Sequence, residues 1–175
     1  SRFAKGRSEV FAEVPTKVRC QASMGNERQQ RLTLSHDGYL ETHGLMHLRE
    51  MELSADGRSL TGSDTLVAST PYERRRFDRV LSYGNLTRVQ FSLRFHLHPD
   101  VDATLDMGGT AVSMALRSGE IWIFRYNGVG DLSLEPSVYM EVGRLKPRPT
   151  KQIRVLAGIT DYAAQVSWTL AKAQD

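Results

Sequence analysis

Hydrophobic and polar residues alternate with a period of two along most of this chain. The alternation is clear in residues 32–34, 112–116, 153–155 and 166–170. Strands that bury one face and expose the other produce this pattern. Turn-forming sequences such as Asn127-Gly128 separate the runs at short intervals and favour hairpins between them. The pattern therefore predicts mainly antiparallel strands.

The absence of helical crossovers narrows the fold class. We find no sustained 3.6-residue period with capping residues, and parallel strands would need helical connections. The exception is residues 71–79, which hold three consecutive arginines and which we expect to form a charged loop or short helix that ends near residues 82–85. The sequence predicts an all-β protein with little helix, an antiparallel β-sandwich of about ten to thirteen strands. We expect residues 1–175 to form one domain.

Composition agrees with a folded domain. The chain has 175 residues, 40% of them hydrophobic and 25% charged, which is ordinary for a globular protein. No segment has the apolar length needed to span a membrane. Cys20 is the single cysteine, so an intramolecular disulfide is excluded. Residues 1–6 lack the apolar core of a signal peptide, and we expect this start to be a cut within a longer protein.

The charge balance allows an acidic partner without requiring one. The formal net charge of +3 suits a polyanion such as a uronate-containing polysaccharide, and it equally suits an ordinary solvated surface. Basic residues are not interleaved with aromatic residues in the way that single-strand binders require. We therefore expect no nucleic-acid partner.

One candidate site lies on a single strand around residues 91–99. If Phe95 faces the core, then Arg94, His96 and His98 lie together on the opposite face. This row could bind a carboxylate or sulfate, and its imidazoles could transfer protons. The alternative is that these residues pair with carboxylates of a neighbouring strand. A metal held by His96 and His98 is a weaker hypothesis because it needs a third ligand, with Asp100, Asp102 and His47 as candidates.

The second candidate site is a cluster that contains His36, Tyr39, His47 and Arg49. A strand after Gly44 would place His47 and Arg49 on one face among apolar neighbours, where polar groups need partners. The cluster is therefore either a buried structural network or the rim of a sugar site. Asp64 is a candidate partner for either Arg49 or Arg94. No residue of the chain can be assigned a catalytic role from these patterns.

Several motifs in a fixed order resemble a known family. They are Ser35-His36-Asp37-Gly38-Tyr39, Gly44-Leu45-Met46-His47-Leu48-Arg49, Leu60-Thr61-Gly62-Ser63-Asp64, Arg94-Phe95-His96-Leu97-His98-Pro99 and Pro149-Thr150-Lys151-Gln152-Ile153. In this order the chain, from near Ser1 to about Leu170, resembles the C-terminal region of bacterial heparinase II/III-like proteins, especially those of α-proteobacteria.

The resemblance implies a two-part parent protein in the periplasm or cell envelope. An N-terminal helical toroid, absent from this chain, would be followed by this β-sandwich, and the parent would cleave uronate-containing polysaccharides by β-elimination. The resemblance places the catalytic Asn, Tyr and His and any metal ligands before the start of this chain. It implies a sandwich that supports the toroid, lines part of the substrate cleft and is inactive alone. No cofactor is expected here, although a divalent metal such as zinc is compatible with the parent.

Two other functions remain open at this point. An autonomous carbohydrate-binding module would need exposed aromatic platforms, for which Trp122, Tyr126, Tyr139 and Trp168 are the candidates. The alternation around Trp168 predicts that this residue, at least, is buried. A purely structural packing domain would instead expose a sizeable apolar patch where it meets the toroid.

Overall fold

A computed structural model describes residues 2–4, 7–25 and 29–173. Its strands are β1 (Arg2–Ala4), β2 (Arg7–Glu13), β3 (Val18–Met24), β4 (Gln30–Tyr39), β5 (Leu45–Leu53), β6 (Ser59–Val67), β7 (Val89–His96), β8 (Asp102–Asp106), β9 (Ala111–Ala115), β10 (Ile121–Asn127), β11 (Asp131–Tyr139), β12 (Arg148–Ile159) and β13 (Ala163–Lys172). Its helices are α1 (Leu40–His43) and α2 (Pro71–Gly84), with one 3-10 turn at Met107–Gly109.

The strands form two packed antiparallel sheets. The large sheet has the order β3-β4-β5-β6-β13-β10-β9-β8, and the small sheet has the order β11-β12-β7. Strands β1 and β2 pair separately as a hairpin. The thirteen strands within the described residues match the predicted number, and the all-β antiparallel sandwich is confirmed.

The core lies between the two sheets. Phe124, Val166 and Trp168 from the large sheet pack against Ile153 and Val155 from the small sheet, and all five are buried. Burying a side chain of this size contributes about 1.5–3 kcal/mol. Trp168 is only 4% exposed, as the alternation predicted.

The small sheet covers only part of the large one. On one side β11 contacts β8, so the two sheets meet there. On the other side β3, β4 and β5 extend beyond the small sheet, and side chains of β3 such as Val18 and Met24 are about 70% exposed. The sandwich is therefore open along the side where β7 faces β5.

Helix α2 occupies the segment for which the sequence left a charged loop or a short helix open. It runs for 14 residues and begins with a capping box, in which Thr70 Oγ1 accepts from the Glu73 N–H and the Glu73 carboxylate accepts from the Thr70 N–H. Phe77, 1% exposed, packs with Leu45 and Ile159 at one end of the sandwich. The helix alternative and its end near residues 82–85 are confirmed, whereas the expectation that no segment carries a capped helical period was wrong because the arginines hid that period. Within the described part of the chain, no helix is long and apolar enough to span a membrane.

Candidate functional site

Four polar side chains of the predicted cluster meet on the inner face of the large sheet. The pairing register places His36 of β4 opposite His47 of β5, and Arg49 of β5 opposite Asp64 of β6. The strand predicted after Gly44 is confirmed as β5. Because side chains alternate along a strand, His47 and Arg49 share the face that carries Leu45.

Gly44 brings this cluster against helix α2. It ends α1 with φ +69°, a conformation that favours glycine, and a Cβ there would overlap the Glu73 carbonyl oxygen and the Phe77 nitrogen. Arg76 of α2 in turn donates hydrogen bonds to the Glu41 carbonyl. The start of β5 is therefore fixed to the helix.

Asp64 is the centre of the cluster. Its Oδ1 accepts hydrogen bonds from His47 Nε2 at 2.8 Å and Arg49 Nε at 2.7 Å, and its Oδ2 accepts from Trp168 Nε1 at 2.9 Å. Burial alone would raise the pKa of Asp64, but these three hydrogen bonds outweigh it and hold the pKa below its ordinary value. The buried carboxylate is therefore ionised and fully engaged.

The two histidines form a chain of hydrogen bonds, called the histidine relay below, in which each ring donates toward this carboxylate. The Gly38 N–H donates to His36 Nδ1 at 3.1 Å, so the proton of the neutral His36 ring is on Nε2. His36 Nε2 donates to His47 Nδ1 at 3.0 Å, which leaves the proton of His47 on Nε2, facing Asp64. Burial and the nearby His47 lower the pKa of His36, which agrees with a neutral ring. Every ring nitrogen is engaged, so neither histidine presents a free base.

A cavity of about 320 Å³ opens beside this relay. The inner face of the large sheet forms its floor and strand β7 forms its wall. Its lining residues are His36, Tyr39, His43, Leu45, His47, Arg49, Asp64, Leu66 and the consecutive residues of β7 from Val89 to Arg94. This volume lies at the lower end of the range for small-molecule sites.

Arg49 is the cation that this cavity offers to a ligand. Its guanidinium group lies over the rings of Phe95 and Trp168, at 5.4 and 6.0 Å from their centroids. Nε is bound to Asp64, whereas Nη1 and Nη2 have no hydrogen-bond partner among the described residues. These two groups form a fixed fork that can bind a carboxylate or sulfate.

The residues of the first predicted site lie mainly on the outer face of the small sheet. Arg94 Nη1 donates to Glu135 at 2.9 Å, so of the two candidate partners for Asp64 the structure confirms Arg49. Hydrogen bonds from Arg154 and Arg94 lower the pKa of Glu135. Arg94 also lines the cavity, so it is the residue that links the two predicted sites.

His96 and His98 are separated from the cavity. His96 Nδ1 lies 2.8 Å from Ser137 Oγ, and the His98 ring lies edge-on to Tyr139 at 4.9 Å. Asp100, one possible third metal ligand, is bound by Arg117 and Arg148. Among the residues that the structure describes, no three His, Cys, Asp or Glu side chains are grouped as metal ligands. The weak metal hypothesis gains no support, and the expectation of no cofactor stays a prediction.

The structure adds three residues to the predicted cluster. His43 lines the cavity, Gly38 orients His36, and Trp168 holds Asp64. His43 and Gly38 lie in the sequence run that contains the predicted cluster, but the sequence assigned neither a role. Trp168 lies 104 residues from Asp64 in the sequence, and no local pattern connects the two.

Comparisons with known proteins agree with this architecture. The family model described as "Heparinase II/III-like, C-terminal" matches residues 2–169. FtsZ-localized protein C from Caulobacter vibrioides (strain NA1000 / CB15N) is 31% identical over 144 residues, which cover 82% of this chain and 23% of that protein.

Solved structures share the fold at low sequence identity. Heparan sulfate lyase HepC from Pedobacter heparinus matches with a TM-score of 0.65 and 13% identity, covering 91% of this chain and 22% of the lyase. Heparinase III, the BT4657 gene product, matches with a TM-score of 0.66 and 10% identity over the same shares. The chain thus spans less than a quarter of the length of these relatives. The family model matches nearly the whole of this chain, and the chain therefore belongs to the heparinase II/III-like C-terminal family.

Proposed function

We propose that this domain is the supporting β-sandwich of a polysaccharide lyase and lines part of its acidic-sugar cleft. The observation that carries the proposal is the open cavity in which Arg49 presents a free guanidinium fork beside Tyr39 and Arg94. A uronate carboxylate or a sulfate is the anionic group that such a fork binds.

The supporting role rests on the uncovered part of the large sheet. The inner face of β3–β5 carries apolar side chains, including Val18, Met24, Leu32 and Met51, beyond the edge of the small sheet. Exposed apolar surface of this kind usually marks a contact with another protein surface. The helical toroid of the parent, which the family resemblance implies, is the partner that we propose for it.

The domain supplies binding and not the reacting groups. Elimination needs a base that can take a proton from the sugar ring, and both relay histidines already use every ring nitrogen. We therefore expect the 175-residue chain alone to release no unsaturated uronate from heparan sulfate, as measured by ultraviolet absorbance. Turnover by this chain would refute the supporting role.

The cleft is tested in the full-length parent. Arg49→Lys keeps a positive charge beside Asp64 but removes the fork, and we expect KM for an acidic polysaccharide to rise roughly tenfold, about 1.4 kcal/mol of lost binding. Arg31→Lys is the matched control because Arg31 pairs with Glu52 on the outer face of the sheet. An unchanged KM in the Arg49 variant would remove this cavity from the cleft.

We also propose that the parent is located in the periplasm or cell envelope.

A second candidate role comes from the 31% identical relative, whose name places it with FtsZ. The parent of this chain would then work at the division assembly. Imaging a fluorescent fusion of the parent, together with a reporter that is active only after export, distinguishes a division-site location from one along the whole envelope.

A carbohydrate-binding module is less well supported. Trp168 is buried, and Trp122 and Tyr126 pack in part against the core. Tyr139 contacts His98. Of the four aromatic candidates, none forms a flat exposed platform. Calorimetric titration of the 175-residue chain with acidic oligosaccharides tests this alternative directly.

A further inference from the structure

Strand β7 leaves one regular edge of the small sheet unpaired. It is the outer strand in the order β11-β12-β7, and its eight residues pair with β12 without a register shift. Natural sheets usually blunt such edges with proline, lysine or a bulge. Strand β7 has no proline and no lysine, whereas the opposite edge strand, β11, carries Pro136 and contacts β8.

The hydrogen-bond pattern identifies which backbone groups of β7 are free. The Leu97 N–H donates to the Lys151 carbonyl at 3.0 Å, and the register places these two residues opposite each other. In an antiparallel ladder, residues that exchange hydrogen bonds with the partner strand alternate with residues that do not. The odd-numbered residues of β7, from Val89 to Phe95, therefore pair with β12, and the N–H and C=O groups of the residues between them point away.

The free groups belong to Gln90, Ser92 and Arg94, and all three residues line the cavity. In the described part of the chain β7 pairs with β12 alone, and no turn or loop hydrogen bond reaches these backbone groups. The edge is thus a row of donors and acceptors along the wall of a cleft, with His47 and Arg49 on its floor. This is the arrangement that an added β-strand uses.

We propose that an extended segment of the parent protein, from outside these 175 residues, adds to β7 as a fourth strand of the small sheet. This inference rests on the proposed function, in which the cavity is shared with the rest of the parent. The relatives are more than four times as long as the aligned region, so the parent has the chain length to supply such a segment. The added strand lies over the inner face of β4 and β5 and turns the open cavity into a cleft between two parts of one protein.

The residues on the floor of the cavity, which is the inner face of the large sheet, determine which side chains the added strand needs. Alternate side chains of the segment point into the cavity, opposite Leu45 and Leu66 near Val89 and opposite Arg49 near Arg94. Apolar side chains suit the first end, and the second end leaves the Arg49 fork facing the open cleft.

Hydrogen exchange resolved to single amides in the full-length parent tests the proposal. We expect the amides of Gln90, Ser92 and Arg94 to exchange at least about a hundredfold more slowly in the parent than in the 175-residue chain. In the chain alone, at a concentration where sedimentation shows a monomer, Phe91 and Leu93 should be protected while the three outward amides are not. Equal exchange of the outward amides in chain and parent would overturn the proposal.

A pair of variants distinguishes strand addition from simple coverage. Ser92→Pro removes an N–H that β12 does not use, whereas Ser92→Ala removes only the hydroxyl that accepts from Arg154 Nε. In the parent, Ser92→Pro should restore fast exchange at Gln90 and Arg94, and Ser92→Ala should not. Retained protection in Ser92→Pro would show coverage without strand pairing and would overturn the proposal.

The outcome is independent of sugar binding. If the exchange result fails while Arg49→Lys still raises KM, the cleft stands and the added strand does not. If protection is found while Arg49→Lys leaves KM unchanged, the strand stands and the acidic-sugar cleft does not.

Discussion

A single buried carboxylate organises the candidate site. The Asp64 side chain is 1% exposed and accepts from His47, Arg49 and Trp168, which come from two other strands. Burying an ion is costly unless every partner is present. The same carboxylate thereby fixes the tautomers of the histidine relay and the direction of the Arg49 fork.

Removing this carboxylate should destabilise the domain strongly. Asp64→Ala leaves Arg49 and Trp168 without their acceptor in a buried site, and we expect a loss of about 3–5 kcal/mol in the free energy of unfolding. Urea denaturation provides the measurement. Glu52→Ala breaks a surface pair with Arg31 and should cost no more than about 1 kcal/mol. Equal effects of the two variants would contradict the central role of Asp64.

The lowered pKa of His36 makes stability depend on pH. The pKa of His36 lies below 6.5 because burial and His47 disfavour the charged ring. The unfolded chain therefore takes up the proton first, and the free energy of unfolding falls as the pH drops below 6.5 toward the folded pKa.

His36→Asn should weaken this dependence. Its Oδ1 can still accept from the Gly38 N–H, while the group that titrates is gone. The free energy of unfolding, measured by denaturation between about pH 7 and pH 5, should then fall less with decreasing pH than in the unchanged protein. Thr33→Asn, on the other face of the same strand, neither removes nor adds a titratable group, so it is the control and should respond to pH as the unchanged protein does. The same slope in both variants would contradict the relay.

The period of two predicted the strands because apolar and polar residues alternate wherever a strand buries only one face. It predicted β5 and placed His47 and Arg49 on one face. It could not choose between Arg49 and Arg94 as the partner of Asp64, since that depends on the pairing register of strands far apart in sequence. Helix α2 was predicted only as the alternative to a loop because its buried face relies on Phe77 and Leu81 among arginines, although Thr70 and Glu73 carried the capping signal.

The contact between β6 and β13 depends on Gly62, which has no side chain. A Cβ on Gly62 would overlap the indole ring of Trp168, which lies opposite it in the register. Gly62→Ala should therefore displace the indole from Asp64 and cost about 1–3 kcal/mol, with a shift in tryptophan fluorescence. Ser63→Ala, one position along on the other face, is the control and should change neither quantity.

The whole molecule is a sandwich whose two sheets meet along one side and stay apart along the other, open side. The sheets meet where β11 contacts β8, while β3–β5 and the free edge of β7 face outward. The proposed supporting surface and the proposed strand-addition edge both lie on this open side. The same open side carries the Arg49 cavity, so the proposed binding site and the proposed contact with the rest of the parent coincide. Alternation within strands could not predict this asymmetry, because it depends on how far one sheet extends past the other.

The open side should make the isolated chain associate with itself. Val18 and Met24 are 68% and 70% exposed on the inner face of β3, and covering them removes apolar surface from water. We expect Met24→Lys to shift the chain toward monomer in sedimentation velocity without lowering its free energy of unfolding by more than about 0.5 kcal/mol. Leu145→Lys is the control because Leu145 is fully exposed in the loop between β11 and β12, away from this face. If Leu145→Lys reduced association as much as Met24→Lys, the exposed surface at large, and not the open side of the sandwich, would drive the contact.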